Sequence, residues 1–128
     1  PVEAQLQAAR KKSGPLFALA LELPLILAGQ QKFLKTAHEA ACLFGLGYQI
    51  LDDLKDQAAD AEQKASGNFV VTLKASSYSG DAATAAANIA FQFLKDAADS
   101  AAALPLGSGR PLVELIERIL PQINAFKP

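Results

Sequence analysis

The residues of this 128-residue chain best suited to chemistry lie close together, in Gly45-Leu46-Gly47-Tyr48-Gln49-Ile50-Leu51-Asp52-Asp53-Leu54-Lys55-Asp56. On a helix turning about 100° per residue, Gly45, Gln49, Asp52 and Asp56 fall within an arc of roughly 60°, with Asp53 beside it. Leu43, Leu46, Ile50 and Leu54 take the opposite side. The pattern predicts a helix with a carboxylate face below a glutamine and an apolar back turned to a core. Three carboxylates this close repel one another, the more so where they are partly buried. A divalent cation relieves that repulsion. Magnesium prefers oxygen ligands, keeps several waters and commonly bridges one or two carboxylates to phosphate oxygens. A D-D-x-x-D arrangement on a helix therefore suits magnesium and a diphosphate. The competing reading is a solvated acidic face, like Asp60 and Glu62 just downstream, because charge runs usually lie on the surface. The Gly-x-Gly-aromatic-Gln preface and the apolar character of the helix weigh toward the site.

Other reactive residue types give weaker signals. Lys12 follows Arg10 and Lys11 and by residue type alone belongs to a solvated basic cluster. Ser13 suits a helix cap. His38 is the only histidine and has no partner histidine or cysteine at metal spacing, so no catalytic role is assigned to it. Cys42, the single cysteine, excludes an internal disulfide and a thiolate zinc cage. It reads as a small buried hydrophobe in a reducing compartment. The sequence has no glycine-rich phosphate loop, Ser-His-Asp constellation or zinc signature.

Those side chains need a scaffold, and composition indicates its kind. Hydrophobic residues make up 51% and charged residues 20%, which excludes a disordered tail. A chain of this length is expected to form one helical domain, 1–128, burying roughly two-thirds of its extended surface. Twelve basic and thirteen acidic residues leave a net charge of -1, so no general attraction for nucleic acid or anionic lipid follows. The longest apolar stretch, Pro15 to Gly29, contains Glu22 and is shorter than the ~20 residues of a membrane span. No signal-peptide cleavage pattern follows the basic cluster. A cytoplasmic protein is expected. The chain starts at Pro1 and has no methionine, which points to a piece of something longer or a processed chain.

Alanine and leucine dominate and β-branched residues are few, which favours helices throughout. A first segment, Val2 to Lys12, should stop at Ser13-Gly14-Pro15. A second, Pro15 to Ala28, is apolar on nearly all sides and should sit in the centre of a bundle, kinked or split at Pro24. The third, Lys32 to Ala61, carries the acidic face. Ser66 to Gly80 is expected to be a loop bearing a short helical or extended piece. The fourth segment, Asp81 to Ala103, has Asp81 as its cap, Leu104 to Gly109 is a turn, and the fifth runs from Pro111 to Phe126, bent at Pro121. The fold class is all-α, a bundle of four or five helices.

Phe44 to Asp56 resembles the second aspartate-rich motif of the trans-isoprenyl diphosphate synthases, the polyprenyl synthetases, with Tyr48 where phenylalanine is usual. Lys12-Ser13-Gly14-Pro15-Leu16-Phe17 resembles that family's lysine element at the start of the preceding helix. Asn68-Phe69-Val70-Val71-Thr72-Leu73 is similar to the loop after the second motif. The resemblance implies an isoprenoid synthase-type bundle in which Mg2+, held between two aspartate-rich helices, binds the diphosphate of an allylic substrate. The allylic cation is then attacked by isopentenyl diphosphate. By position, Asp52 and Asp56 are expected metal ligands, and Asp53 ligates through water or orients its neighbours. Lys12 is expected to contact the allylic diphosphate, Gln49 to stabilise the cation or order metal-bound waters, and Lys64 to add a further diphosphate contact. The first aspartate-rich motif of the family lies upstream of anything in this chain, so the sequence resembles the C-terminal half of such an enzyme. It is expected to act with a missing N-terminal half or as a homo-oligomer. The alternative is a non-catalytic helical interaction module or regulatory subunit derived from the same family.

Overall fold

The computed structural model describes residues 2–59 and 81–126, with the backbone alone for 8–17 and 57–59. Four α-helices make up most of these residues: α1 Val2–Leu27, α2 Leu34–Ala59, α3 Ala82–Ala102 and α4 Arg110–Asn124. Short 3-10 turns at Gln31–Phe33 and Pro105–Gly107 precede α2 and α4. Among the described residues there is no strand, and the fold is all-α. The central helix is α2, which packs on both α1 and α3, while α4 packs on α3. Their buried side chains form one apolar cluster running from Ala18 to Ile123. The expected loop at 66–80 lies outside the described residues.

The first helix departs from expectation. It runs unbroken through Gly14-Pro15 and through Pro24, so the two predicted segments are one helix. A proline removes one ladder bond and crowds the preceding turn. That local penalty is outweighed here by the packing of Ala18, Leu21 and Leu25, buried at helical spacing. Nor is α1 buried all round: Leu19, Leu23, Ile26 and Leu27 are exposed, Leu27 by 87%. The helix ends where the sequence says it should. Gly29, at φ 71°, closes it with Gln30 N–H donating to the Leu25 carbonyl at 2.7 Å and Gly29 N–H to Ile26 at 3.1 Å.

The remaining elements follow their signals closely. Asp81 caps α3, its carboxylate accepting from the Ala83 N–H at 3.1 Å and from the Thr84 hydroxyl at 2.6 Å. Small buried residues (Ala86, Ala87, Ala90, Ala97 and Ala101) line α3 and let its neighbours approach closely. The half-buried Phe91 and Phe93 pack against the core. Leu112, Ile116, Ile119 and Ile123 form a single buried stripe on α4, and the helix continues through Pro121. Between α3 and α4, a Cβ on Gly109 would stand 1.9 Å from the Ala101 carbonyl oxygen, so only glycine fits that crossing.

Candidate functional site

On α2 the apolar back is buried as the spacing requires. Leu46, Ile50 and Leu54 are buried, joined by Phe44 and Leu51. The acidic face divides in two. Asp52 and Asp56 are exposed one helical turn apart, whereas Asp53 is only 6% exposed, the one buried charged residue among those described. Helical geometry explains the split: Asp53 lies about 80° round the axis from Gly45, next to the buried Leu46 at about 100°. A carboxylate taken out of water needs hydrogen-bond donors. Gln49 supplies one, its Nε2 donating to Asp53 Oδ1 at 3.0 Å one turn away. That bond uses one amide N–H of Gln49 and ties its side chain to Asp53.

Lys55 falls in the same stretch, yet its ammonium does not lie on the carboxylates. It donates to Gln122 Oε1 of α4 at 2.6 Å. Neither Asp52 nor Asp56 has a hydrogen-bond or ion-pair partner among the described residues. Tyr48 is exposed one turn before Asp52, with its ring 5.7 Å from that of Phe44. No three His, Cys, Asp or Glu side chains among the described residues converge to hold a metal ion. A cation at this face would therefore take Asp52 and Asp56 as protein ligands and fill its other positions with water or phosphate oxygens, an arrangement magnesium accepts.

Lys64 lies outside the described residues. Lys12 is on α1 with its side chain outside them. His38 Nδ1 on α2 pairs with Glu22 Oε1 on α1 at 3.5 Å. Lys12 precedes Glu22 by ten residues on the same helix, and Tyr48 follows His38 by ten on α2. This cross-helix pair was not legible in the sequence, because nothing local links Glu22 to His38. His38 Nε2 also stands 3.5 Å from Cys42 Sγ, and Cys42 is 2% exposed, as expected of a small buried hydrophobe.

Sequence reasoning placed Gly47 in the Gly-x-Gly preface but missed its packing role. A Cβ there would fall 2.7 Å from Leu94 Cγ and 3.1 Å from the Ala90 carbonyl oxygen, so its missing side chain lets α3 seat against α2 just before the carboxylates. No helix among the described residues is long and apolar enough to cross a membrane. No curated protein and no solved structure gave a significant match to the chain. A family model, Polyprenyl synthetase, matches residues 2–71, more than half of the sequence and all of the α1–α2 pair that carries the acidic face. With an all-α bundle of the isoprenoid-synthase type around that pair, the chain belongs to the polyprenyl synthetase family.

Proposed function

We propose that this chain is the C-terminal half of a trans-isoprenyl diphosphate synthase, carrying its second aspartate-rich motif and working with an N-terminal half that supplies the first. Its substrates are an allylic diphosphate and isopentenyl diphosphate, and the site is cytoplasmic. One observation carries the reading: the family match spans a helix buried on its apolar back, with Asp52 and Asp56 unpartnered and outward among the described residues. Two bare carboxylates one turn apart repel, and a divalent cation lowers that cost.

Asp52 and Asp56 would hold Mg2+, which when bound supplies positive charge against the departing diphosphate. The chain's own residues do the rest. Asp53, buried and hydrogen-bonded to Gln49, orients its neighbours behind the exposed pair. Gln49 gives one amide N–H to Asp53, which holds its side chain where it would stabilise the allylic cation or order metal-bound waters. Lys12 of α1 would contact the allylic diphosphate, and Lys64 would add a second cationic contact.

The test is calorimetric titration of the chain with Mg2+ and pyrophosphate. Binding is expected for the natural sequence and its loss for the Asp52→Ala/Asp56→Ala double variant. Equal affinity in the two proteins would defeat the assignment. A second reading, a non-catalytic helical module that docks on a partner, draws on the exposed row Leu19, Leu23, Ile26 and Leu27. Titration that stays silent for the natural sequence, with the chain folded, favours that module.

A further inference from the structure

We propose that Gln122 is a positioning residue for the cation site: it draws the Lys55 ammonium away from Asp52 and Asp56 and keeps that pair open to a metal. The inference rests on the proposed use of these carboxylates to bind a divalent cation. Lys55 lies three residues after Asp52 and one before Asp56, about 60° round the helix from Asp52. At that separation a lysine ordinarily pairs with the aspartate, since residues three apart on a helix are surface neighbours. An ammonium in that place competes with a divalent cation for the same oxygens and repels it.

Instead Lys55 Nζ donates to Gln122 Oε1 at 2.6 Å, across 67 residues of sequence. The acceptor is neutral, so the bond holds the cation without adding a charge of its own. Gln122 sits on the exposed side of α4, one residue from Ile123, whose burial in the core fixes that stretch of the helix. The last helix thus reaches the acidic end of α2 through one side-chain contact. Because both partners are exposed, the bond only biases where Lys55 spends its time, and the effect on affinity is about two- to fivefold.

Mn2+ alone is the probe, because pyrophosphate would itself attract Lys55 and blur the sign. The full chain is titrated with Mn2+ while paramagnetic broadening of the 52–56 amides is followed by NMR. The set comprises the natural sequence, Gln122→Ala, Lys55→Met and the double variant. All the replaced side chains are exposed, so the fold is retained. Gln122→Ala should weaken Mn2+ binding about two- to threefold and Lys55→Met should tighten it about threefold. In the Lys55→Met background Gln122→Ala should change nothing, which a merely structural role for Gln122 would not produce. An unchanged affinity in Gln122→Ala, or the same loss with and without Lys55, overturns the proposal. Absence of Mn2+ broadening at 52–56 in the natural sequence overturns it together with the proposed cation site. Mn2+ binding without pyrophosphate binding defeats only the diphosphate reading.

Discussion

Replacing Gly109 by alanine tests the packing that joins α3 to α4. Gly109 has φ -89° and ψ -7°, values open to alanine, so backbone conformation gives no reason for glycine there. The reason is steric. The added methyl would lie 1.9 Å from the Ala101 oxygen, 2.6 Å from its carbonyl carbon and 3.0 Å from its Cα. Favourable carbon contacts lie at about 3.5–4.0 Å, so the shortfall exceeds 1 Å. All three atoms are backbone in the last turn of α3 and cannot rotate aside. Relief requires α4 to move off α3, opening the contacts of the buried Leu112 and Ile116. Overpacking of this kind costs about 3 kcal/mol, and the lower chain entropy of unfolded alanine offsets roughly 0.5–1 of it. A net loss of about 2–2.5 kcal/mol corresponds to a fall in Tm of roughly 8–10 °C for a domain of this size. Thermal unfolding followed by far-UV circular dichroism measures it. Gly107→Ala is the control: φ is 68° but nothing lies within 4 Å, so only the left-handed backbone term of about 1 kcal/mol applies. A Gly109→Ala variant within 2 °C of the natural chain, or less damaged than Gly107→Ala, would refute the steric argument.

Asp81→Ala removes the cap of α3 with its two hydrogen bonds and should cost about 1 kcal/mol, read as a lower midpoint in urea. Leu106 is 79% exposed and held at φ 60°, so Leu106→Asn should stabilise the chain by about 0.5 kcal/mol, visible as a small rise in Tm. Gly47→Ala should destabilise the natural chain yet cost clearly less when Leu94→Ala is also present, because the added methyl meets Leu94 first. Additive urea midpoints for that pair would argue against the close α2–α3 contact.

How far the sequence could be read depended on whether the deciding partner was local. The acidic face and buried back of α2 follow from 3.6-residue spacing within one segment, and Asp81 and Gly29 are cap signals acting over three or four residues. The Gly14-Pro15 break was predicted from equally local chemistry and does not occur, because burial of Ala18, Leu21 and Leu25 against α2 decides in favour of a continuous helix. The exposed row on α1 shows the same limit: Leu19 and Leu23 are as apolar as Leu21 and Leu25, and only the position of α2 separates them. At the site, the inward turn of Asp53 was implicit in its angle next to Leu46. Gly47, Gly109 and the Lys55–Gln122 bond were not legible, since each depends on which residue of a distant helix lies opposite.

Diffraction locates a divalent cation on this chain directly. Crystals of the chain grown with Mn2+ and pyrophosphate should give an anomalous difference peak in contact with Asp52 and Asp56, with pyrophosphate oxygens completing the coordination. A manganese peak confined to other acidic positions, such as Glu114 or Glu117 on α4, with the Asp52–Asp56 face bare, would contradict the account.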